Sequence, residues 1–318
     1  MTGLERACTI ALRDCLGVKP GESLLVVTDG ELAAIGRALF DAARKLTDRA
    51  FYLEIPAGGV PGSEPPPGVA ELMARVDAVV APTSRSLTHT EARRAACAAG
   101  ARVATMPGIT EDTLVRCLDA DVHAIARRAD RVAEILTRGK VARVTNPAGT
   151  DVTLPIEGIT AIASRGLILE AGQFGNLPSG EAYLMPVEGA AQGTVVVDGA
   201  MAGLGVIEDE PIRIRIVDGL AVEVSGGVEA RRLLALMDKA GPDARNVAEL
   251  GVGTNDRARI TGTILEDEKI LGTVHVAFGN NASMGGTVRV PFHLDGVILA
   301  PTLVVDGEIL LEDGNPRF

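Results

Sequence analysis

The sequence predicts an α/β amino-terminal domain, Rossmann-like with a parallel sheet, over residues 1–140, followed by a β-rich α+β domain over residues 141–318. Three observations carry this division. Up to Lys140, continuous apolar runs of strand length alternate with segments whose apolar residues recur at helical spacing, as in a parallel sheet covered on both faces. Beyond Lys140 the rhythm changes to short strands joined by glycine-containing turns. A chain of 318 residues is also long enough for two ordinary domains.

Residues 23–28 (SLLVVT) form the first apolar run, and residues 31–46 follow with helical spacing. Residues 51–55 (FYLEI), 77–81 (DAVVA) and 102–106 (RVATM) read as further strands, with a helix near 90–99 between the last two. Helices near 111–117 and 121–136 complete this half, and the proline-rich stretch 61–67 reads as a surface loop. In the second half, hairpins are expected around residues 146–149, at Asp218-Gly219 and at Asp306-Gly307. Only residues 229–239 look helical there.

Composition narrows the function. The net charge is -11 and aromatic residues make up 3%, with no tryptophan. A nucleic-acid partner is therefore not expected, since both the basic excess and the stacking platform are missing. No apolar run reaches membrane-span length, so no membrane partner is expected. The opening MTGLERACTIALRDC lacks an uninterrupted apolar core, so no secretory signal is expected. Cys8, Cys15, Cys97 and Cys117 form no close pair and read as reduced thiols of a cytoplasmic protein. TDGELAAIG after the first strand matches neither dinucleotide- nor phosphate-loop patterns, so the first domain reads as a scaffold.

The candidate chemistry lies in the second half. In RVPFHLDG, strand alternation puts His293 and Asp295 on one face, with Phe292 and Leu294 on the other. In GTVHVAFGN, His275 shares a face with Thr273 and Ala277, opposite Val274, Val276 and Phe278. In NVAELGVGTN, Glu249 shares a face with Val247 and Gly251. LEDEKILG adds Glu266, Asp267 and Glu268, and GNLPSGEAYLMP adds Glu181 after a turn. An HxD pair alone is ordinary on a solvated strand. Two of the chain's four histidines lying 18 residues apart in glycine-rich surroundings make a metal site the reading to test.

These motifs taken in order, Glu181 in NLPSGE, Glu249 in AELGVGTN, Glu268 and His275 in EDEKILGTVHVAFG, and His293 and Asp295 in HLD, resemble the M29 metallopeptidase family of the aminopeptidase T and aminopeptidase S type, which is leucyl aminopeptidase-like. The similarity is most specific in the β-rich half and weaker in THTEARRAACAAGARVATMPGIT. It implies a metal-dependent aminopeptidase-like hydrolase with two divalent ions, Zn, Mn or Co. Glu181, Glu249, His275, His293 and Asp295 would be the ligands, and Glu268 a ligand or general base. Glu268 or Glu249 would move the proton to the leaving amine. The segment after HxAxG, where that family carries a tyrosine, here reads GNNASMGG, so Tyr183, Asn280 or Asn281 is expected to replace it.

GGTVRVPFHLD also resembles the 2,5-dihydroxypyridine dioxygenases, a mononuclear branch of the same fold. That resemblance implies one Fe(II) ion held by His275, His293 and Asp295. The hydrolase is the primary expectation, because Glu181, Glu249 and Glu268 together suit two hard ions better than one. A catalytically silent binding protein on the same scaffold is the third expectation. The expected partner is a small peptide or small-molecule substrate, and the resemblance implies a homodimer. His89 or Arg85, after the third strand, is expected to face the substrate cleft.

Overall fold

A computed structural model describes residues 2–60 and 62–318. Pro61, the first residue of the expected proline-rich loop, lies outside the described residues. The chain divides into two compact units, Met1–Ala126 with Arg165–Ser179, and Arg127–Ser164 with Gly180–Phe318.

The first unit is built on a five-stranded parallel sheet in the order Arg49–Ile55, Ser23–Asp29, Ala78–Ala81, Arg102–Thr105, Phe174–Asn176. Every residue of the three central strands is buried, as their unbroken apolar runs require. The fifth strand comes from the returning segment 165–179 and was not foreseen. A helix over Gly3–Ile10, continued by a wider turn over Ala11–Cys15, was also not foreseen. Thr2 caps it reciprocally with Glu5, whose carboxylate accepts from the Thr2 N–H at 2.9 Å. A second unforeseen helix, Pro67–Met73, starts at the end of the proline-rich loop, with proline in its first turn.

A shallow depression of ≈ 570 Å³ in this unit is lined by Gly30, Glu31, Glu54, Ile55, Pro56 and Ala57. Two carboxylates in its wall are unfavourable to a phosphate.

The second unit holds two antiparallel sheets. The eight-stranded sheet runs Leu220–Ser225, Ile212–Val217, Gln192–Val197, Asp151–Pro155, Val141–Thr145, Thr302–Val305, Glu308–Glu312, Asn315–Pro316. The seven-stranded sheet runs Gly205–Val206, Ala200–Met201, His293–Ile298, Val274–Gly279, Val247–Gly253, Glu181–Leu184, Ile162–Ser164. One apolar core joins Val144, Val152, Val195 and Ile214 of the first sheet to Leu250, Val276, Phe278 and Ile298 of the second. The expected hairpins form, and at Asp218-Gly219 both residues are left-handed, with φ of 49° and 72°. A tight two-residue turn between twisted strands needs that conformation.

The division falls at Ala126/Arg127 rather than at residue 140, inside the helix Val122–Arg138. The reason is packing: Val132, Ala133, Ile135 and Leu136 belong to the core of the second unit. The four cysteines are all free thiols. No helix among the described residues is long and apolar enough to cross a membrane.

Candidate metal centre

The site forms on the face of the seven-stranded sheet that points away from the core. Strand alternation buries Ala182, Leu184, Leu250, Val252, Val274, Val276 and Phe278 on the inner side and leaves their neighbours on the other. Register then aligns the polar groups. Glu181 pairs with Gly253, and Tyr183 with Gly251. Gly251 pairs with His275, and Glu249 with Ala277. Ala277 pairs with Asp295, and Gly279 with His293. Large ligand-type side chains thus stand opposite Gly or Ala, which leaves room for them to converge.

Glu249 is the hub. Its Oε1 lies 3.3 Å from His275 Nε2, and its Oε2 lies 3.5 Å from His293 Nε2. Asp295 Oδ1 is 3.6 Å from the same His293 nitrogen. Glu181 Oε2 approaches His275 Nε2 at 3.6 Å. Glu249, His293 and Asp295 each offer a donor atom within 4.8 Å of the others. This group differs in one member from the expected triad of His275, His293 and Asp295, because His275 stands at the far oxygen of Glu249.

The rest of His293 is fixed by the chain. Its Nδ1 lies 2.7 Å from the carbonyl of Asn280. Donation of the Nδ1 proton to that carbonyl leaves Nε2 as the nitrogen facing Glu249 and Asp295; it carries a proton against these carboxylates and would release it to ligate an ion. The His293 side chain is 34% exposed and that of His275 is 0% exposed, so the site opens on the His293 side.

Electrostatics follow from crowding charges under cover. Burial opposes ionisation of Asp295, but the His293 imidazolium beside it wins and holds the carboxyl at about 2. Burial opposes a charged His275, yet its contact with Glu249 and the charges of Glu181, Glu249 and Asp295 raise it to about 9. His293 moves up for the same reason, against burial and through Asp295 and Glu249. Glu249 moves down, because the two imidazoles outweigh its burial. Glu268 goes the other way: burial dominates and pushes it up to about 8, although Lys269 pulls against it. Burial, with Glu181 and Glu249 nearby, also raises the Tyr183 phenol.

Lys269 was missed from sequence. Its side chain is 3% exposed, and its ammonium donates to Glu181 Oε1 at 2.8 Å and to Glu268. In EDEK it reads as one more solvated charge. Asn280 was expected to contribute its amide. It contributes its backbone carbonyl to His293, while its amide bonds Val290. Asn281 is fully buried, and its amide donates to Glu188. His89 is exposed in the first unit, just before Thr90, which caps the helix Glu91–Ala98. Arg85 is exposed in the same unit.

The donor set fits a divalent ion. Two carboxylates and an oriented imidazole nitrogen converge, and Glu181 Oε2, buried beside His275 Nε2, has no hydrogen-bond partner.

Comparison with known proteins points the same way. The family described as 2,5-dihydroxypyridine 5,6-dioxygenase matches residues 4–317. A curated 2,5-dihydroxypyridine 5,6-dioxygenase of Pseudomonas putida strain KT2440 is 28% identical over 181 residues, 53% of this chain and 52% of that protein. The aligned part thus spans about half the length of that relative. The solved structure of 2,5-dihydroxypyridine dioxygenase from Pseudomonas putida KT2440 superposes with a TM-score of 0.86 at 21% identity, covering 99% of this chain and 98% of that one. Wild-type AmpT from Thermus thermophilus superposes at 0.71 with 19% identity, covering 99% of each chain. At these identities the two superpositions establish a shared fold, including the M29-type fold expected from the motifs. With its sequence matched almost from end to end, the chain belongs to the 2,5-dihydroxypyridine 5,6-dioxygenase family.

Proposed function

We propose that the protein is a metal-dependent dioxygenase that opens a hydroxylated pyridine or a closely related ring. The carrying observation is the convergence of Glu249, His293 and Asp295 on one point beside an opening. One His and two carboxylates would hold a single ferrous ion in a neutral unit, since two negative charges balance one divalent cation. When bound, that ion supplies the redox chemistry that lets dioxygen react with a closed-shell ring.

The chain's own residues do the rest. The Asn280 carbonyl keeps the His293 ring in the ligating tautomer. Glu249 stands between both imidazoles and ties His275 to the centre. A flat ring would approach from the exposed side of His293. Glu268, pushed up to about 8, keeps its proton near neutral pH and is the carboxyl suited to give one to the opening ring.

The aminopeptidase-like hydrolase is the second reading. It is favoured by Glu181 and Glu268, carboxylates beyond what one ion needs, lying near the same centre. The test starts from metal-free protein loaded anaerobically with Fe(II). Oxygen uptake and loss of ring absorbance are followed with 2,5-dihydroxypyridine, beside aminoacyl anilides and dipeptides with Zn, Mn or Co. Uptake of one dioxygen per ring consumed is the expected result. Peptide turnover with a silent ring assay would overturn the oxygenase in favour of the hydrolase.

A further inference from the structure

We infer that Lys269 is a built-in cation standing where a second metal ion would otherwise bind, and that it limits the centre to one ion. The inference rests on the reading that Glu249, His293 and Asp295 hold a metal. The Lys269 ammonium touches Glu181 and Glu268 at once, and its side chain is 3% exposed. A charge that well covered must be paired, and here the Glu181 carboxylate pairs it while the Glu268 carboxyl accepts a further hydrogen bond.

The backbone holds the lysine in place. Its N–H bonds the carbonyl of Glu266 at 2.9 Å, and its carbonyl accepts from Asn255 at 2.8 Å. The next residue, Ile270, bridges to Asn255 in parallel register. The side chain therefore starts from a fixed point after the helix Ile264–Asp267 and reaches both carboxyl groups.

Glu181 connects the two halves of the cluster. Its Oε1 serves the ammonium, and its Oε2 turns to His275 Nε2 at 3.6 Å without a hydrogen bond. A second divalent ion would need the oxygen atoms of Glu181 and Glu268 that the ammonium already engages. It would also have to sit beside a fixed positive charge, an unfavourable pairing under cover. Without the lysine, Glu181 and Glu268 become free donors near Glu249, which has the shape of a bridging carboxylate.

The experiment counts ions. Metal-stripped protein is titrated with Mn(II) and, separately, Zn(II), and ions per chain are read by native mass spectrometry and elemental analysis. The wild type should take up one ion, Lys269→Arg one, and Lys269→Ser two. Should Lys269→Ser unfold without metal, added ions should restore its fold as a two-ion species. Two ions in the wild type, or one in a folded Lys269→Ser, would overturn the role of Lys269 and leave the metal centre standing. No ion in the wild type would overturn the metal-centre reading itself. If Lys269→Ser stays unfolded with metal, the count is taken on Lys269→Met, which removes the charge and keeps the packing; two ions are expected there, and one would overturn the role of Lys269.

Discussion

Gly251 lies directly across the strand pair from His275, and the imidazole fills the space in which a side chain at 251 would begin. A Cβ at Gly251 would stand 1.9 Å from His275 Nε2 and 2.2 Å from Cε1. Neither the fully buried ring nor the strand can give that much. Gly251→Ala should therefore displace His275 and strain the sheet, costing ~1–3 kcal/mol as other overpacked cores do. Thermal unfolding measures the stability loss, and calorimetric titration with Mn(II) measures the accompanying loss of metal affinity. An unchanged melting temperature would show that the ring has somewhere else to go.

Much of this site was legible because strand alternation is a strict rule. Once 274–279 and 293–298 read as strands, the faces of His275, His293 and Asp295 followed, and so did their small neighbours. Other features depend on the fold as a whole. Lys269 looks solvated between acidic residues, and its burial comes from the Asn255 bridge, which no local pattern announces. The strand Phe174–Asn176 is three residues with a central glycine, and only its pairing with Arg102–Thr105 makes it a strand. The helix Val122–Arg138 stays amphipathic along its length, so nothing in its sequence marks the division at Ala126.

The buried thiols give a pH test of the first unit. Burial pushes Cys8 and Cys15 up to about 12 from an ordinary 9.0, with Glu111 and Asp14 adding to it respectively. A thiol that keeps its proton in the fold but loses it when unfolded stabilises the native state less as pH rises above 9.0. Each contributes a loss of up to ~1.4 kcal/mol per pH unit between those values. Denaturant midpoints should fall steeply above pH 9 and less so in Cys8→Ala. At pH 8, iodoacetamide should label the half-buried Cys97 well before Cys8 and Cys15. Equal labelling rates in the folded protein would contradict this.

Glu188 clamps the segment that orients His293. Its carboxylate accepts from the Thr287 N–H and hydroxyl, each at 2.6 Å, and from the Asn281 amide at 2.8 Å. Asn281 follows Asn280, whose carbonyl receives the His293 proton. The Thr287 hydrogen bonds hold Glu188 below its ordinary 4.5. Its stabilisation is therefore full above 4.5 and fades as pH falls through the lowered value. Glu188→Ala should cost ~1–2 kcal/mol at neutral pH, in the range for hydrogen bonds to a charged, half-buried group. It should also weaken metal binding by ~10-fold, as loss of an outer orienting partner does. Unfolding curves at pH 7 and pH 3 should show the two proteins converging in acid. A stability gap equal at both values would rule out a carboxylate clamp.

Glu249→Gln separates shape from charge at the centre. The amide keeps the volume between the two imidazoles but removes the negative charge facing both Nε2 atoms. Without it, Asp295 alone offsets a divalent ion, and one ligand of the converging three is much weaker. Metal affinity should fall by more than the ~10–100-fold typical of an outer-partner change, and the metal-dependent rise in melting temperature should shrink with it. His293→Ala should lose affinity similarly. His275→Ala should lose less, because His275 contacts Glu249 Oε1 and is not one of the three converging donors. Titration of all three variants with Mn(II) checks the order. A larger loss in His275→Ala than in His293→Ala would move the ion to the other oxygen of Glu249, between His275 and Glu181.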